Sequence, residues 1–574
     1  MSGLSSASNF YEFKSRPDLT YIPKVEVHTF LPFSTEELTS NSTHHLFFAP
    51  HAEGPDADDK NSAIIAKLTG EPVWIAKHEE PRYFDFHAID FHGEPHLVYW
   101  AGEMQDGPLY GRTTEGRGVV LNQHYQEVAE AQSSNFYRRC HMHEMNVMPD
   151  GKALLLMQDV REQTYDGNTV KITDDYVQEV DMSTGEVLFD FSVADNLDVR
   201  DSYMPLPWND PGPFHVDAFH ANAASESEGR ITLSLRHSHQ VICIDKETRK
   251  LLWKLGGKNS DFTLEPPSAH FRWQHDARLF RVDGQDYVSM FDNQNDPSTD
   301  HGNPSRGMVL HLDHDRMIAR IVDVYKHPAI GTSASQGSFR SLDNGDVLVA
   351  DGGSDGGYSH AAQFTKAGDI KFAWNWHMQS YRAYIAEWQG TPLTRPDMVL
   401  EKAESTTTAY VSWNGATHLS SWAVFGADDA KSDLHFLSHA QHTWFETKIE
   451  LSESHPWIVA VALDDTQHPL SSTLLISSRN QTDSLQRDFE MASTVKSALA
   501  AHSLLKADSD DLRIYFGDQK VLSSSFTVSA SILAAAALTA GGATYFLRRR
   551  KRKGEASSGH YARVPLSPVP TPVV

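Results

Sequence analysis

The sequence predicts an all-β chain built as a six-bladed β-propeller, with a small β-sandwich appended and one C-terminal transmembrane helix. Three observations predict it: a turn-and-strand unit that recurs before residue 395, a different strand pattern after it, and an uncharged apolar run near the C-terminus. A chain of 574 residues is too long for one ordinary core, so more than one folded unit is expected.

The repeat is a short turn leading into apolar or aromatic residues. It reads Thr69-Gly70-Glu71-Pro72-Val73-Trp74, Thr184-Gly185-Glu186-Val187-Leu188-Phe189, Thr248-Arg249-Lys250-Leu251-Leu252-Trp253 and Ala367-Gly368-Asp369-Ile370-Lys371-Phe372. Weaker copies lie at Gln123 to Val128 and Asp313 to Ile318. Each has the form of a hairpin turn entering a strand, and six such units without helical periodicity mark sheets packed radially around a channel. A second register runs through the same units: His87, His143, His220, His275 and then Gly337 each enter a strand. Because the first strand of every blade lines the axis, four blades are expected to deliver a histidine to about the same height near the channel mouth.

After Arg395 the repeat stops. Segments beginning at Tyr410, Ser421, Trp444 and Trp457 alternate as half-buried strands, which suggests a sandwich similar to a fibronectin-type domain. The expected organisation is an N-terminal extension (1–42), the propeller (43–395), the sandwich (396–480), a polar stalk (481–525), the membrane helix (526–547) and a basic tail (548–574).

The membrane helix is the uncharged stretch Phe526 to Leu547, long enough to cross a hydrocarbon core of ~30 Å. Arg548 to Lys553 follow at once, so the positive-inside rule places the tail in the cytoplasm and the large domain in the lumen or outside. The first residues contain no apolar signal region; an upstream signal segment is expected in preference to a tail-anchored cytosolic domain. Glycosylation sequons at Asn41 and Asn480 suit that orientation.

A net charge of -26, with no basic face outside the C-terminal tail, excludes nucleic acid as a partner. The two cysteines, Cys140 and Cys243, either pair or stay as buried thiols. The 31 histidines carry more information, since several fall at equivalent places in the repeat.

Several linked motifs in fixed order complete the reading. They are Phe219-His220-Ala221-Asn222 with Ser234-Leu235-Arg236-His237, Trp253 to Lys258, Trp273-Gln274-His275-Asp276-Ala277 with Phe291-Asp292-Asn293, Ser305-Arg306-Gly307, Ser335-Gln336-Gly337 and Ser380 to Tyr384. Together they resemble the arylsulfotransferase family, especially its fungal branch, from about residue 43 to about residue 465. The resemblance implies a propeller that moves a sulfuryl group from a phenolic sulfate to a phenolic acceptor on a histidine nitrogen, without a nucleotide cofactor. By motif matching it implies His275 as nucleophile, with His143, His220 and Arg236 in support.

The chemistry is consistent with that assignment. A neutral imidazole has a nitrogen lone pair near pH 7, and a forked guanidinium is suited to hold sulfuryl oxygens as they gather charge. His143 and His220 can donate hydrogen bonds or a proton to the leaving oxygen. His87 is expected to be a packing residue, Asp276 structural, Phe291-Asp292-Asn293 a turn that fixes its blade, and Trp253 to Lys258 blade closure. Arg236 has a structural alternative as partner to an acidic residue.

Two rival readings remain at this level. The pairs His141-Met142-His143 and His237-Ser238-His239 could hold a metal, but no Cys and no obvious third ligand accompany them, so no metal is assigned. A noncatalytic propeller that binds a ligand or protein could scatter the histidines, whereas catalysis requires them to converge beside Arg236.

Overall fold

The computed structural model describes residues 9–485, apart from 41–42, 53–59, 78–79, 107–111, 135–139, 210–214, 295–303, 328–330, 354–356, 404–405, 452, 454 and 479–483. The sequons at Asn41 and Asn480, nearly all of the stalk, the apolar run Phe526 to Leu547 and the basic tail lie outside the described residues. Among the described residues no helix is long and apolar enough to cross a membrane.

The chain is nearly all β. Six sheets follow one another, antiparallel but for a short parallel strand added to the second and the fourth, and their innermost strands are β1 (Tyr83–Phe91), β2 (Met145–Val147), β3 (Ala221–Ser227), β4 (His275–Val282), β5 (Ser338–Ser341) and β6 (Gln379–Glu387). The first five sheets meander outward from their inner strand. The sixth is composite: β6 pairs with His44–His51, which continues through Ile64–Lys67 to Pro72–Ile75.

Hydrophobic cores lie between neighbouring sheets and close a ring. Trp100 and Val120 of the first sheet share a core with Leu155 of the second. Leu154 and Phe189 of the second pack with Leu233 and Ile242 of the third. Leu255 of the third packs with Val288 of the fourth, and Val309 of the fourth with Phe339 of the fifth. Trp374 of the fifth meets Phe48 of the sixth, and Phe47 of the sixth meets Phe86 of the first. Fully burying one such aromatic stabilises by ~1.5–3 kcal/mol, so the ring is held by many comparable contacts and no central core.

All six sequence turns fall at the same place, the hairpin between the third and fourth strands of a sheet. The reason lies in the backbone. Gly70, Tyr125, Gly185, Arg249, Met317 and Gly368 occupy one equivalent position with φ of 89°, 61°, 71°, 58°, 52° and 90°. Glycine takes this left-handed conformation without penalty, and three turns adopt it without glycine. Those three include both of the weaker copies.

Two additions involve segments outside the repeat. Val25–Thr29, in the expected N-terminal extension, pairs with Ile370–His377 as a fifth strand of the fifth sheet. The same segment reaches the C-terminal unit, where Ser15 Oγ lies 2.7 Å from Ser412 Oγ and 2.6 Å from Glu446 Oε2. That unit has a three-stranded sheet containing Thr407–Ser412 and a larger sheet containing Ser421–Ala427 and Trp457–Leu463. Leu400, Val411 and Ile449 of one face Trp422, Val424 and Ile458 of the other across one core. A short strand, Ser484–Leu485, carries the larger sheet past residue 480, into the segment expected to be stalk.

Candidate functional site

The site is built where the inner strands begin. Register shifts interrupt β1, β3, β4 and β6 close to Asp85, Asn222, Asp276 and Arg382, as β-bulges that turn individual side chains toward the axis. Below the entry, the axis is filled by a charge network. Arg382 pairs with Asp85 at 2.9 Å and Glu144 at 3.1 Å, Arg278 with Glu144 at 2.8 Å and Asp276 at 2.7 Å, and Arg340 with Asp276 at 2.8 Å. Asp276 is therefore structural, as expected.

The histidines sit on top of this plug. His275 opens β4, and its Nδ1 lies 2.7 Å from Asn293 Oδ1 while its Nε2 accepts the backbone N–H of Gln336 at 3.1 Å. His143, just before β2, has its ring 4.7 Å from that of His220 and 5.5 Å from that of Tyr381. Its Nδ1 is 2.6 Å from His141 Nδ1. His220, just before β3, hydrogen-bonds Asp217 Oδ2 through Nδ1, and its ring lies 4.6 Å from His237. Arg236, in the turn after Arg230–Leu235, donates Nη1–H to His237 Nε2 at 2.7 Å and Nη2–H to the Ala334 carbonyl at 3.0 Å. Its guanidinium carbon stands 4.8 Å over the Trp273 ring.

His143, His220, His275 and Arg236 thus belong to one cluster, graded in depth. His143 and His275 are 4% and 2% exposed, whereas His220 is 21% exposed at its side chain and Arg236 is half-buried. His87 is not among them. The bulge at Asp85 sets it deeper along β1, where it stacks on Tyr384 at 4.4 Å and bonds the Asp85 carbonyl, so three sheets deliver a histidine to this height and not four.

Burial governs the electrostatics. It holds His143 and His275 well below the usual imidazole range, helped by neighbouring histidines around His143 and by Arg236 beside His275. Burial and Arg236 push His220 down to about 3, and burial pushes His237 down to about 3. Arg236 itself is lowered to about 10 by burial, with Asp217 opposing. Among the described residues it makes no ion pair with a carboxylate, and its buried Nε has no hydrogen-bond partner. The acidic-partner alternative for Arg236 is not what the geometry provides.

Asp217, His220 and His237 also bring ligand-type atoms within 4.8 Å of one another, a set that contains only His237 of the two expected pairs. They fit a cation poorly. His237 accepts from Arg236 at Nε2, so its proton sits on Nδ1, where it is donated to the Asp217 carbonyl at 2.6 Å. A cation would replace that donor and stand beside a guanidinium.

Sequence reasoning missed Asp217, His237 as an Arg236 partner, and Asn293 as more than a turn residue. Asp217 lay three residues before a chosen histidine, a spacing that could have drawn attention to it.

A family model described as arylsulfotransferase (ASST) matches residues 87–374. No curated protein matches the chain. Similar solved structures include a putative 6-phosphogluconolactonase from Bacteroides uniformis, 10% identical, covering 60% of this chain and 100% of that one at a TM-score of 0.30. A GH43 protein from Bacillus licheniformis is 9% identical over 68% of this chain and 89% of that one, TM-score 0.28. Hydrazine synthase from Kuenenia stuttgartiensis is 9% identical over 60% and 67%, TM-score 0.23. Likenesses of this size carry no argument about function.

Proposed function

Because the chain belongs to the arylsulfotransferase family, we propose that it transfers a sulfuryl group from a phenolic sulfate ester to a phenolic acceptor, through a sulfohistidine at His275 and without a nucleotide cofactor. The observation that supports this reading is Arg236, a guanidinium among neutral imidazoles that makes no ion pair with a carboxylate among the described residues, Asp217 acting on it only at a distance. An anion is what such a position lacks, and a sulfuryl group is a three-oxygen anion that a planar fork can grip.

The electron count closes in two steps. His275 Nε2 gives its lone pair to sulfur as the S–O bond to the phenol breaks, and the phenolate leaves with that bonding pair. In the second step the acceptor oxygen attacks sulfur, the N–S bond breaks, and the pair returns to Nε2. His220, with Nδ1 held by Asp217, presents Nε2 to the acceptor hydroxyl proton. Burial and Arg236 depress His220, and a sulfuryl anion on Arg236 would cancel the influence of the guanidinium, strengthening the base when substrate is bound.

In the same proposal the ring of six sheets is a six-bladed β-propeller over residues 43–395, followed by a sandwich over 396–480. The sequence of Phe526 to Leu547 and the basic run after it support a single-pass anchor with the large domain lumenal or extracellular.

The test is to incubate the full chain in detergent with a chromogenic aryl sulfate and a phenol. Phenol release with a sulfuryl group on the His275 peptide by mass spectrometry is expected. Neither label nor release across a donor panel would overturn the reading.

A further inference from the structure

We propose that Asn293 is the positioning residue of the reaction, fixing His275 in the tautomer that leaves Nε2 as the attacking nitrogen; this rests on the reading of His275 as nucleophile. The assignment follows from which groups can only donate and which can only accept. The Gln336 backbone N–H, 3.1 Å from His275 Nε2, is solely a donor, so Nε2 carries the lone pair and the ring proton is on Nδ1. That proton meets Asn293 Oδ1 at 2.7 Å.

The orientation of Asn293 is fixed independently. Its Nδ2 stands 3.0 Å from the Gln336 carbonyl and 3.3 Å from the Ser333 carbonyl, and carbonyls only accept, so this atom is the amide nitrogen and the oxygen faces His275. The backbone is held as well: Ser305 Oγ donates to the Asn293 carbonyl at 2.6 Å and accepts the Ser333 N–H at 2.8 Å. Asn293 has no solvent exposure, so water does not compete for these bonds. Every donor in the set has one acceptor, and only one tautomer of His275 satisfies it.

Two consequences bear on the chemistry. The Gln336 amide occupies the nitrogen that must attack, so it moves aside as sulfur arrives. Gln336 at φ 65° and Gly337 at φ 111° form a left-handed pair at that point. Once the N–S bond forms, the imidazole is cationic and keeps its Nδ1–H, and the bond to Asn293 Oδ1 becomes charge-assisted. Asn293 therefore stabilises the charged intermediate more than the resting ring, which is the condition for a contribution to rate.

The experiment uses the full chain carrying 15N-histidine, with Asn293→Ala and Asn293→Asp. In the wild type a single Nδ1–H tautomer of His275 is expected by 15N NMR, and in Asn293→Ala a mixture, with kcat lowered ~10- to 100-fold and KM little changed. Asn293→Asp keeps the acceptor and adds a charge that favours the imidazolium, so it recovers kcat relative to Asn293→Ala and moves the acid limb of the pH profile upward. An unshifted tautomer and an unchanged kcat in Asn293→Ala would overturn the proposal. Should Asn293→Ala fail to fold, Asn293→Asp with an unmoved acid limb overturns it alone. The tautomer is read in the unliganded protein, so absence of sulfuryl label on wild-type His275 is a separate failure, that of the parent reading.

Discussion

Arg382 pairs with Asp85 at 2.9 Å, and neither side chain has any exposure to solvent. The two come from the sheets that meet where the ring closes, β6 and β1. Taking one such ion out of water costs several kcal/mol, offset here by a set of three acids and three arginines that balance in charge.

Removing one member leaves a charge in its neighbours uncompensated in a buried site. Arg382→Met is expected to destabilise by ~3–5 kcal/mol in urea unfolding, with Asp85 left without its ion-pair partner and Glu144 left with Arg278 alone. A loss below ~1 kcal/mol would show that the network is not what holds the axis.

Arg236→Ala is expected to lower kcat/KM by ~10²- to 10³-fold, the usual loss for one donor to developing charge. Arg236→Lys keeps the charge and loses the fork, so it falls between. Thermal melting should fall only modestly, because no ion pair is broken although the hydrogen bonds to His237 and Ala334 are lost in Arg236→Ala.

Asp217→Asn removes the carboxylate from the Nδ1 of His220. A fall in kcat of at least ~10²-fold is expected, with KM little affected, measured as acceptor-dependent turnover. Equal losses in donor binding and turnover would assign Asp217 to packing instead.

The buried histidines should contribute a loss of stability on acidification from pH 6.5. Burial pushes His237 down to about 3 and His45 to about 4, so the unfolded chain takes up protons on them below 6.5 while the folded chain stays neutral. Each contributes a loss of about 1.4 kcal/mol per pH unit until its folded value is reached. Asp85 and Asp276 are held below the carboxylate range by arginines acting against burial, so their contribution persists down to the ordinary value of 3.8 and disappears beneath it. Asp175, held well above the carboxylate range by burial, works in the opposite direction, so urea midpoints between pH 7 and 4 are compared with those of His45→Gln; a pH profile identical in the two contradicts the histidine contribution.

Cys140 and Cys243 are buried thiols, not disulfide-bonded to each other, in cores between different pairs of sheets. Burial pushes the Cys243 thiol up to about 12. Reductant should leave the melting temperature unchanged, and alkylation should require denaturant.

The propeller-like part was legible because its turns repeat in chemistry as well as length. The position now filled by Gly70, Gly185 and Gly368 announces itself, whereas Tyr125 and Met317 adopt the same backbone without a glycine to mark it. His143, His220 and His275 stood out in the sequence through the repeat register and the family resemblance, and the structure sets them in one cluster. His87 packs on Tyr384 in keeping with the packing role expected of it, but it does not reach the height of the other three, because a bulge at Asp85 displaces it and strand alternation has no signature for that displacement. Asp217 and Asn293 act on histidines across a turn or from the next strand, so their roles depend on pairings that a linear reading does not contain.

The sixth sheet joins Glu387 to His44, residues 343 positions apart (387 − 44), along a single hydrogen-bonded ladder. During synthesis His44–His51 leaves the ribosome early, yet its inner neighbour is made only after five other sheets. Until then an apolar strand has an open edge, the kind of surface that recruits wrong partners and that chaperones cover. The same seam makes ring closure a late, non-local event, so refolding from denaturant should be slow relative to the collapse of any individual sheet.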